Sequence, residues 1–239
     1  MTRIHDMGGR FGDGPIPLKK IDGKVVDYEP VFKKDWHAKA FAITVASASV
    51  GKWSIDKSRF FRESLPPKDY AKFDYYEKWS SALINLLVER GLINKNDLIE
   101  ITKKAKEDNL DVSQVIDEHQ DVLKAKDVAI TLGRGGPSAR EVLHSPKFKV
   151  GQEVRTINYS PNKNIIGGHT RLPIYARGKK GKVILHHKGH VLPDASAHDL
   201  GDSPEHLYTV EFLSTELWGN KDGNQKDSIC IDLWESYLI

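Results

Sequence analysis

Cysteine is almost missing from this chain of 239 residues, in which Cys230 stands alone. A single thiol closes no internal disulfide and builds no thiolate metal cluster, so the expected compartment is a reducing cytoplasm. Long apolar runs are missing too. The opening Met1-Thr2-Arg3-Ile4-His5-Asp6 has no apolar core of the signal-peptide kind, and no later stretch reaches the length that crosses a bilayer. The expectation is a soluble chain without membrane contact. An excess of one charge is equally scarce, because 36 Lys and Arg face 33 Asp and Glu for a formal net charge of +3. Nucleic acid finds no dominant field to follow and is not an expected partner. Nucleophile motifs, phosphate-cradling glycine loops and paired acids are also wanting, so the chain alone reads as catalytically incomplete.

The texture changes along the chain. Residues 1–31 are rich in Gly and Pro (Gly8, Gly9, Gly12, Gly14, Pro15, Pro17) and read as an extended arm that orders only by docking. Residues 32–95 read as a helical domain. Trp36, Ala40, Phe41 and Thr44 recur at helical spacing, and Trp53-Ser54-Ile55-Asp56 opens a short helix that Pro66-Pro67 closes. Tyr75, Trp79, Leu83, Leu86 and Leu87 then form a stripe ending at Gly91, a C-terminal cap. Residues 96–147 turn charged and read as a linker with short helices. Residues 148–239 alternate between glycine turns, with Val150–Arg155, Gly181–Leu185, Leu207–Phe212 and Ile229–Leu233 as strands and no helical period between them. That pattern predicts a small antiparallel barrel.

The most informative stretch is Gly168-His169-Thr170-Arg171-Leu172-Pro173-Ile174-Tyr175-Ala176-Arg177-Gly178. It reads as a strand, and because proline cannot donate to a ladder the strand must lie at an edge or be interrupted. Guanidinium there suits paired oxygens in a way that lysine does not; an ordinary surface arginine is the alternative. Arg59, one turn after Ile55 and before Phe60-Phe61, puts a charge by an apolar face, either paired with Asp56 or Glu63 or serving a function. Tyr75, Tyr76 and Trp79 open the strong helix, as core or as a lining. His186, His187, His190, His198 and His206 read as a solvated hairpin tip rather than a metal site, since Gly189 and Pro193 exclude a helix there. Lys179-Lys180, between Gly178 and Gly181, reads as a solvated turn, because an RNA platform would interleave aromatics.

Taken together and in order, these pieces resemble the β subunit of nitrile hydratase. The resemblance rests on Ile4-His5-Asp6-Met7-Gly8-Gly9, Glu29-Pro30-Val31-Phe32 with Asp35-Trp36, Trp53 to Arg59 with Tyr70, and Tyr75-Tyr76-Glu77. Gly168 to Pro173, Tyr175 to Gly178, Pro193-Asp194, His206 to Val210, Glu216-Leu217-Trp218-Gly219 and Asp232 to Leu238 continue it. One departure is Phe11-Gly12-Asp13-Gly14 before Pro15, where the family usually has Gly-Phe-Gly.

The resemblance implies an α+β fold: an extended N-terminal arm, a helical N-terminal domain and a C-terminal SH3-like small antiparallel β-barrel. It implies hydration of a small nitrile to an amide by an αβ heterodimer that pairs into α2β2. The α subunit, not this chain, would hold cobalt(III), ahead of iron(III), through a cysteine cluster with two cysteines oxidised. Arg59 and Arg171 match the arginines that hydrogen-bond those cysteine oxygens, Tyr75 the tyrosine near the open metal position, and Phe41, Tyr76 and Trp79 the pocket lining. The alternatives are a related member, such as thiocyanate hydrolase or a nitrile hydratase for a specialised metabolite, and a non-enzymatic RNA-binding barrel protein. Thiocyanate hydrolase splits the two halves between polypeptides, whereas here they are continuous.

Overall fold

The computed structural model describes residues 20–22, 24–25, 30–107, 120–159 and 169–239. The motif at residues 4–9, Gly168 and most of the proposed arm lie outside these. Within the arm, β1 (Lys20–Ile21) and β2 (Lys24–Val25) form a short antiparallel pair. The chain divides into two compact units, Lys34–Gly136 and a unit running from Pro137 to Ile239 together with the described residues before Lys34.

Six helices make up the first unit among the described residues: α1 (Asp35–Gly51), α2 (Ile55–Glu63), α3 (Pro67–Lys72), α4 (Tyr75–Glu89), α5 (Lys95–Lys106) and α6 (Ala125–Arg134). Their ends follow from local chemistry. Ser54 accepts the Lys57 N–H at 3.1 Å to start α2, and Pro67 begins α3, where a missing N–H costs nothing. Asp74 and Glu77 form a reciprocal capping box at the head of α4, at 2.9 and 2.8 Å. At its other end Gly91 takes φ +67°, and the N–H groups of Gly91 and Leu92 return to the carbonyls of Val88 and Leu87.

Trp53, Leu83 and Leu86 form the core of this unit, with Ala48, Phe61 and Leu87 packed against them. Glycine is required at the last position of α1, where a Cβ would lie 1.8 Å from the Trp53 ring, and the helix ends as Lys52 turns left-handed at φ +50°. The buried Lys57 ammonium donates to Glu89 at 3.0 Å and ties α2 to α4. One member of the expected apolar stripe departs from it: Tyr75 is 63% exposed, because it stands at the first position of α4, beyond the core. α5 and α6 bury no side chain among the described residues and fall in the stretch read as a charged linker, and the unit continues through them.

The second unit is built on a four-stranded antiparallel sheet in the order β3 (Glu153–Arg155), β4 (Lys180–His190), β5 (Glu205–Leu213), β6 (Ser228–Trp234). The sheet curls as a half-barrel. Val154, Leu172, Val183, Tyr208, Val210, Phe212, Leu233 and Tyr237 belong to its buried core. The last residues return to β3: Arg155 and Ile239 exchange both backbone hydrogen bonds at 2.8 Å, and the Ile157 N–H reaches the Tyr237 carbonyl at 2.9 Å. Two helices interrupt the strands where none was expected, α7 (Pro193–Ser196) and α8 (Ser214–Asp222). Their shortness and the kink at Gly219, φ +79°, leave no periodic signal to read.

A second correction concerns residues 169–178. They are no strand but a bend followed by a single 3-10 turn at Ile174–Ala176. Pro173 withholds an N–H from any ladder, and its carbonyl instead accepts the Ala176 N–H at 3.1 Å.

Candidate functional site

In the helical unit, α4 begins with an aromatic face. Tyr75 and Trp79, one turn apart, have ring centroids 5.5 Å from each other; Tyr76 lies 5.2 Å from Tyr75, and Phe41 of α1 lies 5.9 Å from Trp79. Tyr76 is buried against His37, while Phe41 and Trp79 are half-buried. Four of the residues expected to line a pocket or face the substrate therefore share one surface.

α2 brings the charge. Arg59 is half-buried, and its Nη1 lies 3.5 Å from Oδ1 of the buried Asp56. One turn on, the Arg62 guanidinium lies over the Trp79 ring at 4.3 Å from its centroid. Burial holds Arg62 below the ordinary arginine value; Tyr75 opposes that shift and Arg59 adds to it. The packing of α2 on α4 thus joins an arginine pair to the aromatic face. Arg62 was missed in the sequence, where nothing distinguishes it from a solvated charge.

Arg171 stands in the other unit on a loop with buried flanks. His169 and Leu172 are fully enclosed while Arg171 is exposed, and its guanidinium makes no ion pair among the described residues. Its backbone is held instead. The Arg171 N–H donates to the Tyr237 hydroxyl at 3.3 Å, and the Leu172 N–H to Thr170 Oγ1 at 3.2 Å. Tyr237 in turn donates to the buried Asp194 carboxylate. Burial pushes the Asp194 carboxyl up to about 6, against the opposing pull of Tyr237 and His169. Burial also raises the Tyr237 phenol well above its usual value, and Asp194 adds to that.

Of the five histidines expected at a hairpin tip, only His198 lies on the connection between β4 and β5, in the turn after α7. His186, His187 and His190 lie within β4, whose register shifts between His186 and Gly189, and His206 is buried on β5. His144, His206 and Glu235 bring possible ligand atoms within 4.8 Å of one another. Both ring nitrogens of His206 and one oxygen of Glu235 are already engaged. His206 Nε2 meets the His144 carbonyl at 2.8 Å and its Nδ1 meets His186 at 3.1 Å, while Glu235 accepts from Tyr208 and the Lys147 N–H. Burial would raise the Glu235 carboxyl, but those donors and the Lys147 charge outweigh it and hold it below the usual glutamate value. The cluster reads as a polar joint. Lys179, the expected solvated turn, gives its ammonium to the Glu216 carbonyl at 2.9 Å, and Lys180 opens β4.

Family models for the nitrile hydratase beta subunit match this chain twice, the N-terminal model over residues 1–129 and the C-terminal one over residues 137–239. The chain belongs to the nitrile hydratase β-subunit family. The cobalt-containing nitrile hydratase subunit beta of Pseudonocardia thermophila is 36% identical over 239 residues, 100% of this chain and 96% of that relative. A low-molecular weight cobalt-containing nitrile hydratase subunit beta of Rhodococcus rhodochrous is 35% identical, covering 100% of this chain and 99% of its own length. Among solved structures, a recombinant apo-enzyme of thiocyanate hydrolase from Thiobacillus thioparus matches with 23% identity and a TM-score of 0.39, over 49% of this chain and 97% of that one. So slight a likeness bears on neither fold nor function. No helix among the described residues is long and apolar enough to cross a membrane.

Proposed function

We propose that this chain is the β subunit of a nitrile hydratase and works with an α subunit, as an αβ heterodimer paired into α2β2 in the cytoplasm, to add water to a small nitrile and release the amide. The observation that carries this reading is the full-length match to β subunits, two of them cobalt-containing, at 35% and 36% identity. The residues here do not suit a thiolate-bound cobalt(III) or iron(III). Cys230 is a single exposed thiol, and the one His/Glu cluster among the described residues contains no cysteine and has both ring nitrogens of His206 engaged in hydrogen bonds. The metal, cobalt ahead of iron, belongs to the α subunit. Both halves lie in one continuous chain, which speaks against a thiocyanate hydrolase.

In this reading Arg59 and Arg171 supply planar, charge-assisted donors to the oxygens of the partner's oxidised cysteines. Such oxygens in a water-poor interface need directed N–H groups, which are already oriented before the reaction begins. Tyr75 offers an exposed phenol on the aromatic face of the helical unit, and Phe41, Tyr76 and Trp79 give the apolar body of the nitrile somewhere to rest. The sheet unit is an SH3-like barrel, residues 148–239, that carries Arg171; residues 32–95 are the helical domain, and residues 1–31 an arm laid on the partner.

The experiment is substitution in the co-expressed complex. Arg171→Lys and Arg59→Lys each keep the charge and lose the fork, so turnover should fall on the order of a hundredfold while the complex still elutes intact. Activity within about threefold of wild type in both variants would leave Arg59 as a structural partner of Asp56 and Arg171 as a surface charge, and remove the site.

A further inference from the structure

We propose that Tyr237 and Asp194 are positioning residues for Arg171: the buried tyrosine hydroxyl gives its one proton to Asp194 and so presents a fixed acceptor to the backbone from which Arg171 reaches out. The inference rests on the reading of Arg171 given above and names what holds that arginine in place.

Tyr237 is a sound anchor. It is fully buried among the sheet residues with Leu172, and its own carbonyl is bound by Ile157. Asp194, at the first turn of α7, is 4% exposed. A hydroxyl has one hydrogen to give and lone pairs with which to accept. While Asp194 is ionised it can only accept, so Tyr237 must donate to it, and a lone pair stays turned to the Arg171 N–H. A protonated Asp194 can donate back. The tyrosine proton is then free to swing toward the Arg171 N–H, and the acceptor is lost.

Among the described residues the titratable groups facing Asp194 include Tyr237 from the 3-10 turn Glu235–Tyr237, His169 from the Arg171 loop, which favours the ionised form, and Glu205 from β5, which opposes it. Thr170, beside Arg171, also bonds to Tyr237. The carboxyl changes state near pH 6, so the loop is fixed above that pH and loosened below it.

The test uses the assembled complex with its α subunit. Tyr237→Phe keeps the ring and removes the acceptor. It should lower kcat about five- to tenfold at neutral pH, the worth of one hydrogen bond, leave KM unchanged and speed amide exchange at Arg171 and Leu172. Asp194→Asn removes the titrating carboxyl, so its turnover should lose the fall below about pH 6 that the proposal expects of the wild type. Wild-type exchange at Arg171 in Tyr237→Phe, or an unchanged acid limb in Asp194→Asn, overturns the proposal. If Tyr237→Phe does not assemble, the acid limb of Asp194→Asn decides alone. Arg171→Lys, run alongside, separates the two readings. Full activity in that variant sinks the role given to Arg171, whereas its loss beside an unmoved Tyr237→Phe sinks only the positioning pair.

Discussion

The two units hold their arginines in opposite ways. In the helical unit Arg59 is gripped by its head, through the ion pair with Asp56, while its backbone is ordinary helix. In the sheet unit Arg171 is gripped by its backbone, through Tyr237, and its head is left open to solvent. An arginine held by a carboxylate has part of its fork occupied before any partner arrives; one held by its main chain offers the whole fork. The difference extends to the cores. Three buried residues anchor the helical cluster, whereas the sheet closes over twelve, so the second unit has the larger buried cluster.

The harshest way to break this comparison is Phe212→Ala. It would open a cavity at the centre of the sheet and should lower stability by about 3–5 kcal/mol, measured by denaturant unfolding of the chain. A loss no larger than that of Leu86→Ala in the helical unit, the most buried residue of its core, would mean that the sheet core is no deeper than the helical one.

A smaller effect separates the units by pH. The carboxyl of Asp194 ionises at about 6 in the fold against 3.8 for the free group, so folding favours its protonated form. That contribution is fully present below about pH 4 and is lost as pH rises through about 6. Above neutrality the buried carboxylate costs on the order of 2–3 kcal/mol. Unfolding at pH 4 and pH 8 should therefore show Asp194→Asn gaining stability over wild type by about that amount at the higher pH and little at the lower. Equal differences at both would sink the assignment.

The smallest change sharpens the helical side. Asp74→Ala removes the capping box at the head of α4 and should cost about 1 kcal/mol. Because Tyr75 is the first residue of that helix, near-ultraviolet dichroism of the aromatic face should change with it. An unaltered spectrum would show the face to be set by packing against α1 and α2 alone.

How much of this was legible beforehand depended on where each cause lies. α4 could be read because stripe, start and Gly91 cap sit within one local stretch. The strands of the sheet unit were legible from alternation. The segment around Arg171 was not, because its shape is decided by a tyrosine 66 residues further on, and the apolar residues flanking the arginine looked like one face of a strand. Arg59 and Arg171 stand out through the order of motifs along the chain, since alone the first reads equally as an ion-pair partner of Asp56 or Glu63 and the second as a surface charge. Arg62 stayed hidden because its partner ring belongs to another helix. The histidines were placed on a turn because Gly189 suggested one, whereas that glycine lets the backbone of Arg140 approach β4, where a Cβ would meet its carbonyl at 2.3 Å.

The return of the last residues to Arg155 and Ile157 has a further consequence. β3 stands outermost in the pairing order, and a bare outer strand invites a foreign strand to add itself. Here that rim is already taken by the chain's own Tyr237, Leu238 and Ile239. Recognition at this end of the sheet therefore has to proceed through side chains and loops, and strand addition, with the aggregation that accompanies it, is shut out by the same segment that carries the tyrosine beneath Arg171.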